Sequence, residues 1–329
     1  MNKLPLTGAM PDYDHVRDIV MGRVQVEGVD FRLLNLQIEE IFYRFLVHKE
    51  WDVSEVSFAK YCAFTASGDA DFVAIPVFPS RVFRQSSLFV REGAGIKKIT
   101  DLAGKKVGLP EWAQTAAVYS RGFLTDEYGL KLSQIHWVQA GVNQPGRIEK
   151  VELKLPEGVQ LTRVADKSLN EMLQSGELDA VLAARPPDAF IAGDKRIKRF
   201  FEDFLSVEAA YYKKTGIFPI MHAVAVRKPV LDKNPWVARN LFKAFEEAKK
   251  RSIERALEMA ATMFPVPWVS EYTARGMELM GDDYFPYGVE KNRKTLEAFL
   301  RWAYEQGVCK RHLSVEELFP KQMYSSFKV

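Results

Sequence analysis

Short apolar runs alternate with amphipathic helical patterns along most of the chain, and this alternation restricts the fold more than any other feature. Residues 72–75 read Phe-Val-Ala-Ile, which is typical of a buried strand, whereas residues 39–47 place apolar side chains on one helical face. Strands and helices in alternation predict an α/β architecture. The chain has 329 residues, a length that favours two lobes over a single core.

The predicted elements divide between two lobes. Strands of the first lobe are predicted near residues 4–6, 29–36, 51–57, 72–75 and 87–91, and strands of the second lobe near 105–109, 135–138 and 178–182. A strand at 222–226 returns to the first lobe, and the C-terminal part is mostly helical. The first lobe is therefore predicted at 1–100 plus 220–329 and the second at 101–219. Two crossings between lobes favour closure over a ligand in the cleft.

Residues 76–84, Pro-Val-Phe-Pro-Ser-Arg-Val-Phe-Arg, follow one of the predicted buried strands and place Arg81 and Arg84 where it ends. A guanidinium group holds a carboxylate through two charge-assisted hydrogen bonds, so the pair predicts a site for a small acid. In an extended or turn segment, residues three apart need not share a face. The pattern is therefore compatible with only one of the two arginines entering the cleft. The alternative is that an arginine of this segment pairs with a carboxylate on the protein surface.

The charge balance argues against nucleic acid as a partner. The formal net charge is +3, and the densest basic run, at 195–199, is interpreted as a solvated helix face. The sequence contains neither an apolar stretch of about 18 residues nor the apolar run of a signal peptide at its N-terminus. Cys62 and Cys309 lie far apart, which fits a reducing compartment. We therefore expect a cytoplasmic protein without a membrane span.

Two segments resemble the lobe-crossing motifs of type II solute-binding proteins: Asp-Leu-Ala-Gly-Lys-Lys-Val-Gly-Leu at 101–109 and Gly-Glu-Leu-Asp-Ala at 176–180. Within that superfamily the chain is most similar to the 4,5-dihydroxyphthalate decarboxylase family. The segments that carry this resemblance keep their order along most of the chain: Tyr13-Asp14, 27–30, 52–57, 76–84, 215–222 and Tyr287-Gly288. The resemblance implies a two-lobed, type II periplasmic-binding-protein-like α/β fold, in which each lobe is a sheet flanked by helices.

The resemblance also implies a non-oxidative decarboxylase that converts a hydroxylated aromatic diacid, 4,5-dihydroxyphthalate, to protocatechuate and carbon dioxide without an organic cofactor. One position departs from the family pattern, because His15 follows the Tyr-Asp pair where the family carries arginine. The substrate could therefore differ in its acid or hydroxyl groups. Since the fold alone does not settle catalysis, a solute-binding protein for an aromatic carboxylate and a ligand sensor remain as alternatives. Aromatic residues in the C-terminal helices would permit a homo-oligomer.

His222, Glu55, Asp14 and His15 are the catalytic candidates that this resemblance favours. His222 stands at the return to the first lobe, and a histidine can deliver a proton to the ring carbon near neutral pH; its alternative is a hydrogen-bonded core histidine. Glu55 ends a predicted strand, where open α/β sheets place ligands, and could accept a phenol proton. Asp14 and His15 follow the first strand at the cleft rim. Together with Asp12 they form only a weak metal-ligand pattern, so no metal is expected.

Four further residues are candidates for binding the substrate beside the two arginines. Ser57 could bond a carboxylate and at the same time cap the helix that follows it, or it could act only as the helix cap. Thr115 stands near a helix N-terminus, whose backbone N–H groups could hold the second carboxylate. Trp112 could stack on a flat substrate or pack in the core. Tyr287 could close over the cleft or pack on the first lobe.

Overall fold

A computed structural model describes residues 2–324, and within them the chain forms eleven β-strands and eleven α-helices around two mixed sheets. The strands are β1 (Leu4–Met10), β2 (Val29–Asn35), β3 (Val53–Ser57), β4 (Phe72–Ile75), β5 (Leu88–Arg91), β6 (Lys106–Leu109), β7 (His136–Gln139), β8 (Gln160–Arg163), β9 (Ala180–Leu182), β10 (Ile197–Arg199) and β11 (His222–Arg227). The helices are α1 (Asp14–Val20), α2 (Ile38–Tyr43), α3 (Phe58–Ser67), α4 (Thr115–Tyr128), α5 (Leu169–Ser175), α6 (Asp188–Ile191), α7 (Phe204–Thr215), α8 (Lys228–Lys233), α9 (Trp236–Leu257), α10 (Val269–Met280) and α11 (Arg293–Glu305). The predicted α/β architecture is confirmed.

The first sheet has the strand order β2-β1-β3-β11-β4. β1 runs parallel to β2 and β3, whereas β11 is antiparallel to its two neighbours, β3 and β4. The four residues between the ends of β11 are buried, as expected for an interior strand covered on both faces. His222 lies opposite Ser57 in the register of β11 and β3. The last residue of β3 and the first residue of β11 therefore lie side by side, at the same end of these two neighbouring strands.

The second sheet has the order β10-β5-β9-β6-β7-β8, with β6 parallel to β7 and β9. The prediction that assigned residues 87–91 to the first lobe was wrong, because β5 pairs antiparallel with β9 and β10. A strand's own pattern of apolar residues does not identify the strand beside it. The basic run at 195–199 was also assigned wrongly: β10 is an edge strand rather than a helix, and Arg199 lies over the ring of Phe204.

The C-terminal part is mostly helical, as predicted, and its helices pack on other helices of the fold. α9 buries apolar residues at helical spacing, among them Val237, Leu241 and Phe245, against the first-sheet side. α11 packs against α3 and α4, and so ties the elements that follow β3 and β6 to each other. Within the described range, none of the helices combines the length and apolar character needed to span a bilayer.

Gly122 allows the close approach of α11 to α4, and replacing it with alanine is expected to destabilise the protein. A Cβ atom at Gly122 would lie 2.3 Å from Cδ2 of Trp302. The Trp302 ring is 1% exposed and its indole N–H donates to Asp126, so the ring cannot move aside without losing contacts. We expect Gly122→Ala to lower the free energy of unfolding by about 2 kcal/mol, measured by urea denaturation.

Gly276 in α10 is the matched control, because a Cβ there would meet only Tyr284, at 3.9 Å. Alanine has the higher helix propensity, so Gly276→Ala is expected to be neutral or slightly stabilising. A similar change in the two variants would contradict the packing argument.

Candidate active site

A cavity of about 580 Å³ opens between the two sheets. This volume lies within the range of small-molecule sites. From the first-sheet side it is lined by Phe42, Ser57, Lys60, Met221 and His222, with Arg84 from the segment that crosses to the second sheet. From the second-sheet side it is lined mainly by Glu111, Gln114, Thr115, Asn143, Arg147 and Lys150. The polar and cationic lining suits an anionic ligand.

Two helices begin at this cavity. α3 starts after Ser57 and α4 starts at Thr115, so both place a positive helix end at the cavity. The first-turn N–H groups of α4 are presented there, whereas the N–H of Phe58 in α3 donates to the carbonyl oxygen of Met221. The Thr115 hydroxyl accepts from the backbone N–H of Ala59 and lies 3.0 Å from the Ser57 hydroxyl. Thr115 therefore satisfies an N–H group of α3 from the opposite side. Ser57 occupies the N-cap position without a side-chain capping bond, so its predicted capping role was wrong.

Arg84 is the member of the arginine pair that reaches the cavity. Its Nε lies 3.1 Å from the sulfur of Met221, and no ion-pair partner lies within 4.0 Å of it among the described residues. Burial lowers the pKa of Arg84 to about 10, which leaves the guanidinium charged at neutral pH. Arg81, by contrast, is 7% exposed and donates to the carbonyl oxygens of Phe218 and Pro286. The prediction that Arg81 binds substrate is not supported by this position, because its Nη1 and Nη2 are engaged by backbone carbonyl oxygens and the residue does not line the cavity.

His222 is held by a buried carboxylate. Its Nδ1 lies 2.5 Å from Oε1 of Glu55, which is fully buried and also accepts a hydrogen bond from the Tyr13 hydroxyl at 2.9 Å. Burial and the neighbouring Glu55 raise the pKa of Tyr13 well above its usual range, so the phenol remains a donor. The edge of the Phe42 ring packs against the imidazole at 5.0 Å between centroids. With Nδ1 engaged, Nε2 is the nitrogen left for a ligand, as in an oriented general acid or base.

Glu55 lies behind His222 rather than on the cavity wall. It does not line the cavity, and His222 and Tyr13 both bond to its Oε1. The expectation that Glu55 itself accepts a phenol proton was therefore wrong. The role that the geometry allows is to orient the imidazole and stabilise its protonated form.

Asp14 and His15 point away from the cavity. The Asp14 carboxylate lies 2.9 Å from the guanidinium of Arg255, and the His15 Nε2 lies 2.9 Å from the carbonyl oxygen of Pro79. The catalytic assignments of Asp14 and His15 are thus not supported, because both side chains are committed to structural partners. Among residues 2–324, no cluster of three or more histidine, cysteine or acidic side chains forms a metal site.

The position of His15 predicts a loss of stability in acid. Burial lowers the pKa of His15 to about 4 from 6.5. The unfolded chain therefore binds this proton more readily, and the stability contributed by neutral His15 is complete above pH 6.5 and lost as the pH falls towards 4. In the wild-type protein the free energy of unfolding should therefore decrease between pH 6.5 and pH 4, and His15→Gln should make this decrease smaller by about 2 kcal/mol. Urea denaturation at both pH values measures the difference. An unchanged pH dependence would contradict this assignment.

Trp112 and Tyr287 belong to the core. Trp112 is 0% exposed and its indole N–H donates to the carbonyl oxygen of Gln306. Tyr287 is 1% exposed, with the Lys249 ammonium 4.6 Å from its ring centroid. Neither lines the cavity, so the predictions of a stacking tryptophan and a closing tyrosine were wrong, and the packing alternative holds for both.

Among the charged cavity residues that the sequence reasoning missed, three form one cluster of ion pairs. Glu111 follows β6, and its fully buried carboxylate pairs with Lys60 at 2.8 Å and Arg147 at 2.5 Å. Burial alone would raise the pKa of Glu111, but the two cations offset this effect and hold it below its usual range. The strand-end rule applied to Glu55 also fits Glu111. Arg147 lies in an irregular loop whose sequence does not indicate where it folds.

Comparison of sequences finds two enzymes of the same name that are similar to this chain. It is 39% identical over 330 residues to the 4,5-dihydroxyphthalate decarboxylase of Comamonas testosteroni, with 100% of both chains covered. It is 40% identical over 214 residues to the enzyme of the same name from Pseudomonas putida, covering 65% of this chain and 83% of that protein. No family model matches the chain.

Solved structures share the fold at low sequence identity. The sulfonate-binding protein SsuA from Methylobacillus flagellatus KT has a TM-score of 0.56 and 13% identity, with 98% of this chain and 93% of that chain covered. SsuA from Escherichia coli has a TM-score of 0.54 and 14% identity, covering 98% and 99%. The desulfurization enzyme DSZB has a TM-score of 0.52 and 11% identity, covering 98% of each chain. The predicted binding-protein-like fold is therefore confirmed.

Proposed function

The chain belongs to the 4,5-dihydroxyphthalate decarboxylase family, and we propose that it converts 4,5-dihydroxyphthalate to 3,4-dihydroxybenzoate (protocatechuate) and carbon dioxide. The observation that carries this proposal is the full-length likeness to an enzyme of that name. The cavity supports it, because an imidazole oriented by a carboxylate faces the same space as an arginine that has no ion-pair partner among the described residues.

The binding step is supported by the distribution of charge. Arg84 supplies a planar fork for one carboxylate, and the positive ends of α3 and α4, with the first-turn N–H groups of α4, attract the other. Ser57 and Thr115 contribute hydroxyl groups between those helix ends. A rigid aromatic diacid placed between them is held at both carboxylates, so the ring is fixed relative to His222.

The chemical step exchanges a carboxylate for a proton on one ring carbon. His222 donates its Nε2 proton to that carbon and a new C–H bond forms, while the hydroxyl group in the para position supplies electron density to the ring. The bond to the carboxylate then breaks, its electron pair returns to the ring, and carbon dioxide leaves. Glu55 stabilises the imidazolium before the transfer, and solvent returns a proton to His222 afterwards.

The decisive experiment is incubation of the protein with 4,5-dihydroxyphthalate, with release of carbon dioxide and formation of 3,4-dihydroxybenzoate followed together. In deuterium oxide, the product should carry one deuterium at the ring carbon that lost its carboxylate. Tight binding of the diacid without turnover would reject the enzyme and favour a binding protein for aromatic carboxylates.

We further propose that the enzyme works in the cytoplasm and forms a homo-oligomer. Cys62 and Cys309, both buried and unpaired, are in keeping with a reducing compartment. Exposed aromatic side chains at Trp268 and Tyr272 would suit contact between copies. Sedimentation of the purified protein tests the second part, and a monomer at micromolar concentration would refute it.

A further inference from the structure

We infer that Glu111 binds the ring hydroxyl para to the departing carboxylate, and that this contact selects hydroxylated diacids over phthalate itself. The inference rests on the proposed function and adds to it a residue that determines specificity. The sequence reasoning gave a similar role to Glu55, which lies behind His222. Glu111 instead lies on the cavity wall, on the side opposite His222.

The charge of Glu111 is unexpected in a cavity for a dianion. Five lysine and arginine residues line the cavity beside it: Lys60, Arg84, Arg147, Lys150 and Arg185. Of the acidic residues that line it in the described part of the chain, Glu39 is 46% exposed and paired with Arg185, whereas Glu111 is fully buried. A buried carboxylate repels the carboxylates of a substrate unless it meets a donor. A ring hydroxyl is the donor that the substrate carries.

One oxygen of Glu111 has room for a further hydrogen-bond donor. Oε1 receives the Nε and Nη2 of Arg147 at 2.6 and 2.5 Å. Oε2 is buried and has the Lys60 ammonium, at 2.8 Å, as its one neighbouring donor among the described residues. A carboxylate oxygen can accept two hydrogen bonds, so Oε2 is less fully coordinated than Oε1. A hydroxyl donor from a bound ring would complete the coordination of Oε2.

The same contact assists the chemistry. When Glu111 accepts a hydrogen bond from the para hydroxyl group, the hydroxyl oxygen donates more electron density to the ring. The Lys60 ammonium beside Oε2 stabilises the negative charge of the Glu111 carboxylate. Glu111 stays ionised because Lys60 and Arg147 hold its pKa low, so it acts as an acceptor. His222 and Glu111 line the cavity from opposite sides, as two groups acting on para positions of one ring must.

Wild-type protein provides the first test, through the inhibition constants of phthalate and 4-hydroxyphthalate against turnover of 4,5-dihydroxyphthalate. 4-Hydroxyphthalate keeps a hydroxyl para to one carboxylate, so we expect it to compete at least about 10-fold better than phthalate. Equal inhibition constants would overturn the inference. This comparison uses no variant and is independent of any effect on folding.

Glu111→Gln provides the second test, because it keeps the size of the side chain and removes the charge. We expect kcat/KM for 4,5-dihydroxyphthalate to fall about 100-fold, while phthalate inhibits as well as before or better. Glu111→Asp, which restores the charge, should recover part of the loss, and thermal unfolding must show each variant folded. Equal weakening of both ligands would assign Glu111 a structural role and overturn the inference.

The two proposals fail in different ways. Turnover of 4,5-dihydroxyphthalate without any preference for the hydroxyl group rejects the role of Glu111 and leaves the enzyme. If turnover is absent, calorimetry measures the affinity for the same diacids instead of inhibition constants. In that case the protein is not a decarboxylase. Tighter binding of 4-hydroxyphthalate than of phthalate, if it disappears in Glu111→Gln, would still support the role of Glu111.

Discussion

Replacing His222 with asparagine is expected to lower kcat for 4,5-dihydroxyphthalate by about 10³-fold with little change in KM. The substitution removes the proposed proton donor, whereas the asparagine amide can still donate to Glu55 and so avoids an unpaired buried carboxylate. Steady-state rates of product formation measure the effect. Because both carboxylates of the substrate bind elsewhere, loss of the proton donor should leave affinity nearly intact.

His15→Asn is the matched control for this prediction. His15 is near the same strand ends, but its Nε2–H donates to the carbonyl oxygen of Pro79 and it does not line the cavity, so kcat should remain near the wild-type value. Tyr13→Phe tests the carboxylate that orients the imidazole: it removes one of the two hydrogen bonds at Glu55 Oε1 and should lower kcat about 5-fold. If His222→Asn retained full turnover, another group would have to supply the proton.

The parts of the site that the sequence predicted share a simple origin. Ser57, Thr115 and His222 lie where a strand ends or begins next to a helix start, and such junctions are visible as changes from an apolar run to a helical pattern. The α/β alternation and the long C-terminal helix were predictable for the same reason. Periodicity identifies an element and its ends, and ligands in this architecture bind at those ends.

The errors arose where a long-range contact decides the outcome. Asp14 occupies a strand end as favourable as that of Glu55, but Arg255, far along the chain, pairs with it. Trp112 adjoins the cavity in sequence, yet its indole faces the carbonyl of Gln306. Arg147, in an irregular loop, became a cavity residue through its pair with Glu111. Side-chain direction at such positions depends on partners that no local pattern specifies.

The two arginines of residues 76–84 give the second large prediction, because one segment supplies both the test and its control. Arg84→Gln is expected to reduce kcat/KM for 4,5-dihydroxyphthalate by about 10²- to 10³-fold, mostly through KM. A partly buried guanidinium without an ion-pair partner among the described residues can give two charge-assisted hydrogen bonds to a carboxylate, and glutamine replaces neither the charge nor the fork. Arg84→Lys retains the charge alone and should lose about 10-fold.

Arg81→Gln should behave in the opposite way. Arg81 donates to the carbonyl oxygens of Phe218 and Pro286, so its loss leaves buried acceptors unpaired and should lower the free energy of unfolding by about 2 kcal/mol. The folded fraction should retain a kcat/KM within a few-fold of wild type, since Arg81 does not line the cavity. Kinetics and urea denaturation on both variants measure the contrast. Equal effects of Arg81→Gln and Arg84→Gln on KM would mean that the segment acts through its shape, and that neither guanidinium anchors the carboxylate.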